Sequence, residues 1–149
     1  MKVAIGADHG GYQLKESLKE KLLRDGHTVI DCGTKDESSC HYPVYAKAVC
    51  EEIIAGNAER GILCCGTGIG MSIAANKMPG IRAAVCGEHY STRYTRMHND
   101  SQVLCLGARV TGPGLAEELV DIFLTTQAEG GRHTERVAMI AELERGAKE

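Results

Sequence analysis

The chain has 149 residues, 43% hydrophobic and 25% charged, with a formal net charge of −3. That length suits one domain over residues 1–149, large enough to bury about 70% of its unfolded surface without disulfides or metals. The charge balance gives no general pull toward nucleic acid or anionic membranes; the lack of Trp and the single Phe argue against a base-stacking surface, and no apolar run nears the ~20 residues of a membrane helix.

Short apolar runs alternate with amphipathic segments. KVAIGA (2–7) reads as a buried strand. Residues 10–25 read as a helix with Leu14, Leu18, Leu22 and Leu23 inward and Lys15, Lys19 and Glu20 outward, closed by Gly26. HTVIDC (27–32) is the second strand, and 44–55 the second helix, led by Pro43. GILCC (61–65) is the third strand, followed by a glycine-rich turn and a helix to about Asn76. IRAAVC (81–86) and QVLCLG (102–107) are further strands around a helix at 89–97, and helices at 113–125 and 133–145 finish the chain. Such alternation predicts a parallel sheet covered on both faces. Ligands then bind beyond the carboxyl ends of the strands, at a topological switch point.

Two loops at such ends carry chemistry. Strand one runs into Asp8-His9-Gly10-Gly11 and strand three into Cys65-Gly66-Thr67-Gly68-Ile69-Gly70. They face each other if the two strands are neighbours. An Asp or His in the first loop can also simply cap the next helix. In the second loop, glycines let backbone N–H groups converge on an oxyanion at a helix start. No Lys-Ser/Thr follows, which excludes a P-loop, and the position after strand three excludes a dinucleotide fingerprint. A cysteine at the strand end, beside a helix N-terminus, is placed to act as base or nucleophile. Adjacent strand residues point to opposite faces, so at most one of Cys64 and Cys65 reaches the site.

Met97-His98-Asn99-Asp100 offers a proton carrier and an amide donor, although a histidine there also suits a helix end. Arg132 and Arg136, four apart, share a helix face and repel unless an anion joins them. Tyr42 either covers a ligand or packs. Seven cysteines without a CxxC pair, behind no secretory signal, lead us to expect reduced thiols in a cytoplasm.

These residues together resemble the ribose-5-phosphate isomerase B family, which includes allose-6-phosphate and galactose-6-phosphate isomerases. The resemblance spans IGADHGG at the start, DCGT (31–34), YPVYA (42–46), CGTGIGMSIAANK (65–77), GIRAAVC (80–86), HND (98–100), LGARV (106–110) and EGGRH (129–133). It covers nearly the whole chain; only the region around 34–41 matches poorly.

The resemblance implies a three-layer, Rossmann-like α/β/α sandwich with a five-stranded parallel sheet. It also implies a homodimer, sometimes paired to a tetramer, with active sites shared between subunits. The implied reaction is the metal-free, cofactor-free interconversion of ribose 5-phosphate and ribulose 5-phosphate through a cis-enediol. In it Cys65 moves the proton between C1 and C2, Thr67 serves O1 and O2, and the amides of Gly66, Gly68, Ile69 and Gly70 hold the enediolate. His98 opens the ring, with Asp8 near the sugar hydroxyls and Asn99 donating to sugar oxygens. His9, Arg109, Arg132 and Arg136 take the phosphate. One branch of the family uses a Glu base where this chain has Met71, so the resemblance points to the cysteine branch.

The inventory fits that chemistry independently: an enediol route needs a base, an oxyanion hole and a ring-opening acid/base, whereas no carboxylate–histidine set with metal-ligand spacing stands out. A six-carbon aldose phosphate (allose 6-phosphate or galactose 6-phosphate) as substrate, or a non-catalytic sugar-phosphate-binding subunit, are the alternatives. A thiol redox role lacks its CxxC.

Overall fold

The strand-helix alternation becomes eleven elements in a computed structural model that describes residues 1–146. They are β1 (Lys2–Ala7), α1 (Tyr12–Arg24), β2 (Thr28–Asp31), α2 (Tyr42–Ile54), β3 (Arg60–Cys65), α3 (Ile69–Ala75), β4 (Ala83–Val85), α4 (His89–Asn99), β5 (Val103–Gly107), α5 (Pro113–Thr125) and α6 (Arg132–Gly146). The strands form one parallel sheet in the order β2-β1-β3-β5-β4. From β1 the chain turns outward to β2, and from β3 it leaves in the other direction to β4. The switch point therefore lies between β1 and β3.

Period-two alternation sorts the strand residues onto two faces. Val3, Ile5, Ile62, Cys64, Leu104 and Leu106 pack against α1 and α5. Ala4, Leu63, Cys65, Val103 and Cys105 pack against α2 and α3. Cys64 and Cys65 thus do point to opposite faces. Met71, on α3, is fully buried in the second layer. Helix α4 lies against α5, and α6 against α4. Among α6 residues only His133 is buried.

Lys15 departs from the amphipathic reading of α1. It is 1% exposed, and its ammonium reaches Asp31 at 2.9 and 3.0 Å as well as Glu16. A buried ammonium needs such partners, and these tie α1 to the end of β2. Strand β4 is shorter than its apolar run because the Arg82 N–H is taken by the Gln102 side chain (2.8 Å) and the Ile81 N–H by Met78 O (3.1 Å).

Candidate active site

Ala7 pairs with Cys64, so β1 and β3 end at one level and their loops adjoin. They are in close contact. A Cβ on Gly11 would lie 2.2 Å from Cys64 O, a position no side chain can take. The Asp8 carboxylate accepts the Gly11 N–H (3.0 Å), and the Asp8 N–H donates to Cys64 O (3.3 Å). Asp8 is buried and fixes the turn ahead of α1, whose N-cap residue is Gly11 and which has no side-chain cap, so Asp8 braces the loop rather than capping the helix.

Cys65 is 6% exposed and its sulfur accepts the Gly68 N–H at 3.1 Å. Gly68 makes this possible by adopting φ 78° beneath the backbone of Leu106, where a Cβ would come within 3.1 Å. The other apolar thiols are placed differently. Burial pushes Cys32 and Cys50 up to about 11 and raises Cys64, Cys86 and Cys105 as well. The exposed Thr67 hydroxyl accepts the Ile69 N–H (3.3 Å). The N–H groups of Gly66 and Thr67 have no acceptor among the described residues.

Arg109 comes to this loop from the residues after β5. Its N–H donates to Gly66 O (3.0 Å), and its guanidinium lies 3.5 to 3.6 Å from where Cβ atoms on Gly66 and Gly10 would be. Tyr42, 40% exposed, rests its ring on Gly70, 3.0 Å from a Cβ there. His9 Nδ1 accepts the Cys40 N–H at 3.3 Å, which puts the proton of the neutral ring on Nε2 and makes that nitrogen the donor. Asp8, His9, Tyr42, Arg109 and the 65–70 loop therefore converge. The hold of Cys40 on His9 was not visible in the sequence, because it crosses from an irregular loop with no motif.

His98, Asn99, Arg132 and Arg136 do not join them in the same chain. Helix α4 runs back from the carboxyl end of β4 to the start of β5 and carries His98 and Asn99 in its last turn. Asn99 O accepts from Arg82 Nε (2.7 Å), just ahead of β4, so this turn lies toward the amino end of the sheet, where Gly61 pairs with Val103. Cys65 is four strand residues further on, about 13 Å at 3.3 Å each. His98 and Asn99 line a cleft of about 320 Å³ with Tyr90 and Tyr94. Arg132 and Arg136 open α6 and are exposed. A larger depression of about 530 Å³, between Asp31–Asp36 and Tyr45, contains none of the candidate residues.

A carboxylate–histidine set does form, contrary to the reading of spacing alone. His98, Glu129 and His133 bring one ligand atom each to within 4.8 Å of one another.

Residues 3–140 match the ribose/galactose isomerase family. The chain belongs to that family. It is 48% identical over 143 residues to ribose-5-phosphate isomerase B of Escherichia coli, covering 96% of each chain. It is 39% identical to the galactose-6-phosphate isomerase subunit LacB of Clostridium acetobutylicum, over 92% of this chain and 79% of that one. The solved ribose-5-phosphate isomerase B of Clostridium thermocellum superposes with a TM-score of 0.98 at 49% identity, covering 99% of both chains. That of Thermotoga maritima gives 0.93 at 48% identity, over 95% of this chain and 97% of the other. The sandwich and its parallel sheet are thus those of the family's isomerases.

Proposed function

We propose that this isomerase interconverts ribose 5-phosphate and ribulose 5-phosphate with Cys65 as its base. The observation that carries the reading is the Cys65 thiol at the end of β3, with the Gly68 N–H directed at its sulfur. The thiolate takes the C2 proton of the open-chain aldose. The negative charge that develops on O1 is met by the free N–H groups of Gly66 and Thr67, with Gly68, Ile69 and Gly70 shaping the turn. The Thr67 hydroxyl passes the hydroxyl proton from O2 to O1, and the Cys65 proton returns to C1, which completes the ketose. Met71, buried in the core, has no part in this.

The site is completed by a second copy. Its His98 opens the furanose ring, moving a proton from O1 to O4 as the C1–O4 bond breaks and C1=O1 forms, with Asp8 beside the sugar hydroxyls. Its Asn99 donates to sugar oxygens, and its Arg132 and Arg136 join His9 and Arg109 on the phosphate. Two features support a homodimer: the direction of α4, and the apolar surface left on α6, where Met139, Ile140 and Leu143 are 63%, 44% and 76% exposed. The surroundings are a reducing cytoplasm, in keeping with seven free cysteines. Among the described residues no helix is long and apolar enough to cross a membrane.

The test is the rate on ribose 5-phosphate beside allose 6-phosphate and galactose 6-phosphate. The five-carbon sugar should give the highest kcat/KM; a six-carbon sugar turned over faster would reassign the substrate. No turnover of any would leave a sugar-phosphate-binding subunit.

A further inference from the structure

His98 is gripped by groups that the proposed reaction does not use. Its ring stacks on His133, with centroids 3.9 Å apart and planes 4° from parallel. Tyr94, one turn earlier on α4, meets it edge-on at 4.8 Å. Glu129 Oε2 faces both imidazoles, 3.5 Å from His98 Nε2 and 3.3 Å from His133 Nε2. The Glu129 N–H donates to Met97 O (3.0 Å), which anchors the carboxylate to the last turn of α4.

The cluster has the composition of a metal site but not its geometry. An ion bound by an imidazole lies close to the plane of that ring. Two parallel rings 3.9 Å apart share no such point, so a carboxylate shared between them is the better account.

We propose that Glu129 and His133 are positioning residues for His98. Glu129 accepts the Nε2–H, which leaves Nδ1 to exchange a proton with the sugar, and His133 fixes the plane of the ring. The inference rests on the reading of His98 as the ring-opening group. An ionised carboxylate only accepts, so the His98 nitrogen facing it carries a proton. The same arrangement orients the histidine of a catalytic triad. His98 Nδ1 makes no hydrogen bond among the described residues. Arg132 Nε also faces His133 Nε2, at 3.5 Å. Arg132 Nε can only donate, so His133 Nε2 accepts there and the proton of its neutral ring sits on Nδ1. Burial, with the nearby His98 and Arg132, lowers the His133 pKa.

Ribulose 5-phosphate supplies the test. Its O5 carries the phosphate, so it cannot close a furanose ring. Exchange of its C1 hydrogen with solvent deuterium needs the proton-abstracting base but no ring opening. Glu129→Gln and His133→Ala should each lower kcat on ribose 5-phosphate by about ten- to a hundredfold, the usual cost of losing an orienting partner. C1 exchange should continue at the native rate, which also shows that the variants fold. His133→Phe keeps a stacked ring and should recover part of the His133→Ala loss. Equal losses in both reactions, native rates in both, or a Phe variant no better than Ala would overturn the inference. His98→Asn, measured alongside, separates the two levels. If it fails to split the reactions, the role given to His98 falls. If it splits them and the Glu129 and His133 variants do not, only the positioning falls.

Discussion

Cys65→Ala and His98→Asn proteins should both be inactive alone and regain activity when mixed. Within one chain the two residues lie toward opposite ends of the strands, and β3 spans ~13 Å between Gly61 and Cys65. Direct proton transfers at one sugar need contacts near 3 Å. Each site of a symmetric dimer therefore takes Cys65 from one chain and His98 from the other. In a hybrid of the two variants one site carries both lesions and the other carries none. Random exchange gives parents and hybrid in a 1:2:1 ratio, so about one quarter of all sites become native. The assay is ribose 5-phosphate turnover before and after mixing, with subunit exchange driven by mild denaturant and dilution. Cys65→Ala mixed with Arg109→Ala is the control. Arg109 lies over Gly66 of its own chain, so every hybrid site keeps one lesion and no recovery should follow. Recovery in the control, or none in the main pair, would refute the two-chain site.

Four further outcomes are expected. Cys65→Ala should abolish turnover without unfolding the chain, whereas Cys64→Ala, on the opposite face of β3, should cost packing but retain activity, as read by kinetics beside thermal melts. Alkylation should inactivate through Cys65, with substrate protecting, because burial raises the Cys64 and Cys105 thiols; peptide mapping of the modified sulfur decides this. Exhaustive chelation should leave the rate unchanged, and a loss restored by a divalent ion would sink the enediol route and reopen the His98–Glu129–His133 cluster as a ligand set. Arg132→Ala and Arg136→Ala should raise KM for the phosphorylated sugar by about ten- to a hundredfold, the lower range for a charged contact since both are exposed in the single chain, with little effect on free ribose; equal damage to both substrates would make the arginines structural.

Local pattern made much of this legible. Pro113–Thr125 falls where the periodicity puts a helix, and the other elements agree to within a few residues. The opposed faces of Cys64 and Cys65 follow from the period of a strand alone. What escaped depends on tertiary placement. Nothing in QVLCLG says that β5 slips between β3 and β4, because every buried parallel strand has the same apolar run. Lys15 reads as a solvated residue until Asp31 arrives from β2 to pair with it. The His98–Glu129–His133 cluster joins residues of α4 to residues at the start of α6, with no spacing rule to announce it. Arg132 and Arg136 drew notice through their i, i+4 pattern, while His133 between them did not.

The contact of Gly11 with Cys64 O binds the two loop motifs into one inheritable unit. A side chain at position 11 would push against the end of β3 and carry the neighbouring Cys65 with it. A chimaera that took only one of the two motifs from a distant relative would have to match the other to within a few tenths of an ångström. A single crossover in the long loop between β2 and α2, although residues 35–39 are all exposed, takes the two glycine-rich loops from different parents, so recombination between distant members of this family should fail there and succeed at junctions beyond residue 70.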